Sequence, residues 1–296
     1  MAAQDPSPTQ LSYLVAAIDG SGWTEAARSL GVTTSAFAQG IAELERRLAL
    51  TLFTKEGRNR VPTTEAETAG VYARAVLGEL DGLRRWADEA RTGDVGQIRA
   101  GMIDTAAIHH FGETLVRFRS LHPEVSVQLN VRPSATLFEE LLAGKLDVVV
   151  AVTPPNTNGL ALHPLIAEPL YVYAPPGERI GKPETWGPWV GFPADSRTRA
   201  LVSAKLRSRG ATVNVIAESS QPAVLCEMVR LGMGWTVLAA VDVERSGIPL
   251  RRAMEKPVAE RVLTLAWRQD RPLSAALERF TAILIAEAVA SGSAHS

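Results

Sequence analysis

WTEAARSLGVTTSAFAQGIAELERR, from Trp23 to Arg47, is the stretch whose reading decides the fold. Thr24 is placed to cap a short helix running through Leu30, its hydroxyl accepting a free backbone N–H of the first turn. Gly31 suits the turn that follows, because without a Cβ it takes positive φ freely. Thr33, Thr34 or Ser35 then caps a second helix, in which Phe37, Ile41, Leu44 and Leu48 form one buried stripe. Thr34, Ser35, Ala38, Gln39 and Ala42 fall on another face. Two short helices, a Gly-containing turn and a small neutral exposed face make a helix-turn-helix, whose second helix enters the major groove of DNA. A plain helical hairpin shares this periodicity, so the flanking residues decide between the two.

Upstream, Leu11, Leu14, Val15 and Ile18 form an amphipathic helix able to lie across the back of the hairpin. Downstream, LALTLFTKEGRNRVPTTEAE (Leu48 to Glu67) has apolar Leu50, Leu52 and Phe53, then a turn at Gly57 with Lys55, Arg58 and Arg60 clustered at its tip. That reads as a small wing whose cations meet phosphate. In these residues the chain resembles the N-terminal domain of LysR-type transcriptional regulators. The shared pieces are T-x-A-A-x-x-L-x-V (Thr24, Ala26, Ala27, Leu30, Val32), A-x-x-x-x-I-x-x-L-E (Ala36, Ile41, Leu44, Glu45), L-F-x-K-x-x-R (Leu52, Phe53, Lys55, Arg58) and T-E-A (Thr64, Glu65, Ala66). The resemblance implies binding to double-stranded promoter DNA. The expected contacts are Thr33, Thr34, Ser35 and Gln39 on the recognition helix, with Lys55, Arg58 and Arg60 on the wing. Family recognition helices usually carry Ser where this chain has Ala38, which loses a donor, and Gly40 costs roughly 0.5–1 kcal/mol against Ala inside a helix. Residues 1–65 hold six Lys and Arg against seven Asp and Glu. The head is therefore expected to bind with modest affinity and to need the summed half-sites of a dimer or tetramer.

The 296 residues suffice for two or three domains, and a net charge of −1 gives no global excess of cations. MAAQDPSPTQ, the polar and frayed start, has neither a basic nor an apolar segment of a signal peptide. No run approaches the length of an apolar membrane span, so a cytoplasmic location is expected. Cys226 is the single cysteine, which excludes an intrachain disulfide and a multi-cysteine metal site.

Residues 1–63 are read as the winged helix-turn-helix domain and 64–93 as a linker helix. Thr64-Glu65-Ala66-Glu67 fits a capping box for that helix. Ala69, Ala73, Val76, Leu80, Leu83, Ala87 and Ala90 then make a heptad seam that requires a partner, either its own domain or an antiparallel dimer arm. The dimer is favoured, partly because LysR-type proteins pair through this helix. Gly93-Asp94-Val95-Gly96 gives a hinge.

From residue 94 to 296 strands and helices alternate. Ile98–Ile103, Val125–Val131 and Val148–Val152 read as strands separated by helices over Ile108–Leu121 and Ser134–Ala143, a βαβαβ unit with parallel pairing. Further strands are expected at Leu170–Ala174, 188–193, 213–217, Trp235–Ala240 and Val262–Trp267. Helices are expected at 197–208, Pro222–Leu231 and Ala275–Ala290. The fold class is thus multidomain: an all-α winged helix-turn-helix and linker helix, then a two-lobed α/β domain. Lobe one would take about 95–165 and 268–290, lobe two about 166–267.

The resemblance continues through G-x-I-R-x-G (Gly96 to Gly101), F-R-x-x-H-P-E-V (Phe118 to Val125), L-x-x-G-x-L-D (Leu141 to Asp147), F-P-A-D-S-R (Phe192 to Arg197) and L-G-M-G (Leu231 to Gly234). It implies the effector domain of LysR-type regulators, with the fold of periplasmic type 2 solute-binding proteins. In such folds ligands sit where strand ends meet helix N-termini, which favour anions. Thr105 and Ser134 each follow a strand and open a helix, matching positions where the family places effector-contacting hydroxyls; each could equally serve only as a cap. Phe192, Pro193 and Ser196 face them from the second lobe. A small anionic effector, such as an aromatic or aliphatic carboxylate, is expected. Adjacent His109 and His110 point about 100° apart on a helix, a poor spacing for chelation. No metal, cofactor or catalytic constellation is expected. The chain reads as an effector-controlled transcriptional regulator. The alternative is a small-molecule binding protein whose head no longer reads DNA and serves for dimerisation or protein contact.

Overall fold

A computed structural model describes residues 5–20, 22–56, 59–92 and 96–293, without the side chains of residues 85, 88–92 and 291–293. The chain forms two compact units that part after residue 93.

The first unit opens with helix α1 (Pro8–Asp19). The start is ordered rather than frayed from Ser7 onward, because Ser7 and Gln10 make a capping box. Ser7 Oγ accepts the Gln10 N–H at 3.3 Å and Gln10 Oε1 accepts the Ser7 N–H at 2.8 Å. Helix α2 (Trp23–Ser29) begins two residues earlier than expected, with Gly22 rather than Thr24 at its N-cap, so Thr24 lies inside the first turn and does not cap. Gly31 turns the chain with φ +68°. Helix α3 (Thr34–Leu48) is capped by Thr33, whose hydroxyl accepts the Ala36 N–H at 3.1 Å. Phe37, Ile41 and Leu44 of α3 are fully buried with Leu14 of α1, and Trp23 sets its ring edge-on to both Phe37 and Phe53.

Gly40 has a tertiary reason that its helix propensity hides. A Cβ there would stand 2.4 Å from two ring carbons of Tyr13 on α1, so only glycine lets α1 and α3 approach this closely. Gly40→Ala is therefore expected to destabilise the head by about 1–3 kcal/mol through overpacking, despite the better helix former. Adding Tyr13→Ala should recover part of that loss. Thermal melting of the two variants would show this; a Gly40→Ala protein as stable as the wild type would contradict it.

Strands β1 (Phe53–Glu56) and β2 (Asn59–Pro62) pair antiparallel as the expected wing, with Lys55 opposite Arg60. Gly57 and Arg58, at its tip, lie outside the described residues. The wing is anchored by Glu45, whose Oε1 accepts the backbone N–H groups of Leu52 at 2.8 Å and Phe53 at 3.1 Å. Helix α4 (Thr64–Thr92) follows. Its cap is Thr63, one residue before the expected box: the Thr63 hydroxyl accepts the Ala66 N–H at 3.1 Å. The seam expected along α4 divides. Ala73 is buried in the core that α1 and α3 supply, whereas Val76 and Leu83 are left exposed, beside exposed Tyr72 and Trp86, which the seam did not include. The Ala90 side chain and most of the hinge, residues 93–95, lie outside the described residues.

The second unit begins with strand β3 (Gln97–Met102), a single π-helical turn at Ala106–His110 and helix α5 (Gly112–Leu121). The helix expected from Ile108 therefore starts only at Gly112, because the chain first makes the wider turn that carries both histidines. Strand β4 (Ser126–Val131), helix α6 (Ser134–Leu142) and strand β5 (Val148–Val152) complete the βαβαβ unit. β3 pairs parallel with β4 on one side and β5 on the other. The Arg of G-x-I-R-x-G and the Asp of L-x-x-G-x-L-D meet here: Asp147 accepts the Arg99 backbone N–H at 2.8 Å and its guanidinium at 2.9 Å, which fixes the start of β5 beside β3.

Strand β6 (Leu160–Ala174) is far longer than the run expected at Leu170–Ala174, and the stretch after Pro154-Pro155 is loop only as far as Gly159. Strand β7 (Trp189–Gly191), helix α7 (Arg197–Arg207), strand β8 (Val215–Glu218), helix α8 (Pro222–Arg230) and strand β9 (Thr236–Ala239) then alternate. Helix α9 (Ala240–Ser246) and strand β10 (Arg251–Arg252) have no counterpart in the sequence reading. Strand β11 (Ala259–Arg268) and helix α10 (Ala275–Ser293) close the chain. β6 and β11 run antiparallel from Leu160 opposite Arg268 to Leu170 opposite Ala259. They are the two crossings between lobes. At one end Leu263 and Leu265 join Met102, Phe118 and Phe280 in one core; at the other Leu170 joins Trp186, Trp189 and Trp235 in a second.

Candidate functional site

The head unit offers one polar surface built from two elements. Thr33, Thr34, Ser35 and Gln39 are exposed along the first turns of α3, as the sequence reading placed them. Thr33 spends one lone pair on its cap. Lys55 and Arg60 are exposed on facing strands of the wing, a like-charged cross-strand pair that an adjacent polyanion would relieve. The Arg60 guanidinium also lies over the Trp23 ring, 4.6 Å from its centroid. Trp23 in turn abuts Phe37, so the aromatic cluster sets the wing cation relative to the recognition helix. Other head cations are already paired: Arg28 with Glu25, and Arg46 and Arg47 with Glu43.

In the second unit a cleft of about 330 Å³ opens between the lobes, and all five sequence-predicted positions line it: Thr105, Ser134, Phe192, Pro193 and Ser196. Three helices start there. Ser134 opens α6, Ser196 caps α7 by accepting the Arg199 N–H at 3.4 Å, and Pro222 opens α8. The first N–H groups of a helix have no partner within it, so this convergence supplies free donors and positive dipole ends. Arg132 and Arg197 line the cleft against Asp104 and Asp195, while Arg261 reaches it from the floor, where it is committed to buried Glu168.

The two hydroxyls expected to be alike differ. Ser134 Oγ accepts the Val152 N–H at 3.3 Å, which leaves its own proton to donate. Thr105 caps nothing: it is buried, donates to Asp242 Oδ1 at 2.8 Å and accepts from Arg261 Nη2 at 3.1 Å. Its hydroxyl belongs to a network under the cleft floor. Arg261 Nε donates to Glu168 Oε2 at 2.6 Å, and His110 Nε2 meets Glu168 Oε1 at 2.6 Å. Burial alone would raise Glu168, but Arg261 and His110 hold its carboxyl below the usual range. Burial pushes Asp242 up to about 6 despite the guanidinium nearby. Burial, with the charges of Arg245 and His110, lowers His109.

Arg261, Glu168 and Asp242 were not singled out from the sequence. The one available signal was the charged pair Glu260-Arg261 at the start of an otherwise largely apolar strand, AERVLTLAW. Cys226 is fully buried, and burial pushes its thiol up to about 11, as suits a small core residue. Among the described residues no group of three or more His, Cys, Asp or Glu could hold a metal ion, and no helix is long and apolar enough to cross a membrane.

Comparison with known proteins agrees with this architecture. Residues 8–67 match the family described as bacterial regulatory helix-turn-helix protein, lysR family, and residues 91–289 match the LysR substrate binding domain. Over 280 residues the chain is 25% identical to the uncharacterized HTH-type transcriptional regulator YfeR of Shigella flexneri, covering 91% of this chain and 90% of that one. Among solved structures it is similar to CbnR, a LysR family transcriptional regulator, with TM-score 0.67, 19% identity and coverage of 95% and 99%. Full-length CbnR complexed with its target DNA gives TM-score 0.66 at 18% identity, again covering 95% and 99%. At these identities the structural likeness is one of fold.

Proposed function

We propose, from the premise that the chain belongs to the LysR family of DNA-binding transcriptional regulators, that a small anion bound in the interlobe cleft controls how its heads engage an operator. The observation that carries the effector class is the meeting of three helix N-termini with Ser134, Ser196, Arg132 and Arg197 in one cleft. Ser134 is the hydroxyl that donates to the anion. Thr105 shapes the floor, since its proton is committed to Asp242. Phe192 and Pro193 supply an apolar wall, which suits a carboxylate carried on an organic body.

In the head, Thr34, Ser35 and Gln39 read base edges while Lys55, Arg58 and Arg60 meet phosphate. The DNA-bound form of CbnR supports this use of the fold. Tyr72, Val76, Leu83 and Trp86 leave an exposed apolar stripe on α4, which supports pairing of two chains through that helix. A dimer would add two half-sites and offset the modest charge of a single head.

The test is fluorescence anisotropy of the full-length protein on labelled DNA from upstream of its own gene, over a salt series with unrelated DNA alongside. Selective binding with a negative salt slope is expected. Gln39→Ala should weaken specific binding by about 1–3 kcal/mol, and Lys55→Ala should reduce the log–log salt slope by about one. Binding no better than to unrelated DNA at every salt, followed by an empty genome-wide pull-down, would instead favour a small-molecule binding protein with a head that only dimerises.

A further inference from the structure

The cleft that offers donors to an anion also carries carboxylates. Asp104 and Asp195 line it, and neither accepts a hydrogen bond from, or pairs with, a described residue. Asp195 is exposed, whereas Asp104 is half-buried on the first-lobe wall. Below it the buried floor sets Glu168 and Asp242 against Arg261 and His110, so no floor cation is free for Asp104. A plain anion entering here meets an unneutralised carboxylate, and like charges brought together cost binding energy.

The sheet decides what stands beside Asp104. β4, β3 and β5 lie side by side and parallel, so their C-terminal ends share one edge. The Arg132 N–H donates to Met102 O at 3.3 Å and the Ile103 N–H to Val150 O at 3.1 Å, which puts the residues just beyond the three strands in one row. Asp104 stands beyond β3, and Arg132 and Ser134 beyond β4. Ser134 Oγ reaches across to accept the Val152 N–H at the end of β5. Neighbouring strands are about 4.8 Å apart. One free carboxylate therefore lies a strand spacing from a guanidinium and a hydroxyl proton. Arg132 does not neutralise it, since its guanidinium donates to Val131 O at 3.0 Å. Ile103, Val131, Val152, Phe192 and Pro193 add apolar surface alongside.

We propose that the effector is an α-amino acid with an apolar side chain, bound as its zwitterion. Its carboxylate takes the helix starts, the Ser134 proton and Arg132. Its ammonium group, with three donors, is held by Asp104, whose oxygens are otherwise unbonded within the described residues. Both charges sit on one α-carbon, which matches an acceptor and a donor set on neighbouring strands. A cleft of about 330 Å³ is at the small end for ligand pockets, in keeping with a molecule of this size. The inference rests on the cleft being the effector site and specifies what fills it.

The experiment is isothermal titration calorimetry of the full-length protein at neutral pH with L-leucine and L-phenylalanine. Each is run beside the same molecule without its amine (isocaproate, hydrocinnamate) and without its carboxylate (isoamylamine, phenethylamine). At least one amino acid should bind about tenfold or more tighter than both of its counterparts, the effect of one charged hydrogen-bonded contact. Asp104→Asn should weaken that amino acid by a similar factor and bind the matching acid more tightly than the wild type does. Without ligand its melting temperature should be no lower than the wild type's, because Asp104 bonds no described residue. An acid that binds as tightly as its amino acid overturns the zwitterion and leaves the anion reading intact. An amine that does so overturns both, as does binding of neither an amino acid nor an acid. An Asp104→Asn protein that prefers the amino acid as strongly as the wild type also overturns the proposal. If that variant does not fold, the wild-type series decides alone.

Discussion

Arg261→Met should destabilise the effector-binding unit by about 3–5 kcal/mol at neutral pH, the largest effect expected of a single substitution here. Methionine matches the apolar stem but supplies no charge, so Glu168 and Asp242 lose their shared buried cation and Thr105 loses the donor at 3.1 Å. The pH dependence identifies the cause. In the wild type Glu168 is held below its ordinary value, so its contribution is present above the unfolded value of 4.5 and fades as pH falls through the lower folded one. In the variant only His110 is left to oppose burial, so the Glu168 carboxyl rises and folding gains less from its ionised form. The gap between variant and wild type should therefore narrow steadily on acidification. Chemical denaturation at several pH values measures it. A small loss, equal at all pH values, would mean that Arg261 is not the counter-charge of the floor.

Glu45→Ala should cost the head about 2–4 kcal/mol and weaken DNA binding beyond that loss of stability. One carboxylate oxygen accepts both N–H groups that start the wing, Leu52 at 2.8 Å and Phe53 at 3.1 Å, and both residues are buried. Alanine leaves two donors without a partner and frees the hairpin that carries Lys55 and Arg60. Glu45→Gln keeps an acceptor in place and should lose far less. Melting curves and anisotropy on the three proteins would separate the outcomes. Equal behaviour of Ala and Gln would show that the wing is held by packing of Phe53 on Trp23 alone.

Much of the site was legible because its parts are local. The cleft hydroxyls were found because Ser or Thr directly after a strand sits at a helix start, and strand-to-helix turns of parallel sheets gather at one edge. Their roles were not legible. A cap is a local bond that the sequence proposes for both Thr105 and Ser134, yet neither hydroxyl spends itself on one: Ser134 accepts from Val152 and Thr105 bonds Asp242 and Arg261. Gly40 shows the same limit in the head, where propensity marked a weak point and packing on Tyr13 makes glycine a requirement.

By itself the sequence determined the helix-turn-helix, the wing, the long linker helix and the βαβαβ start. Each is written as a period of apolar residues punctuated by Gly, Pro or a capping side chain, and such periods act over a few residues. The tertiary structure alone decided which distant groups share the cleft floor. Thr105 and Asp242 are 137 residues apart, and Glu168 and Arg261 are 93 apart. No period links residues so far separated. They meet because β6 and β11 cross between the lobes side by side, and that pairing depends on the whole sheet.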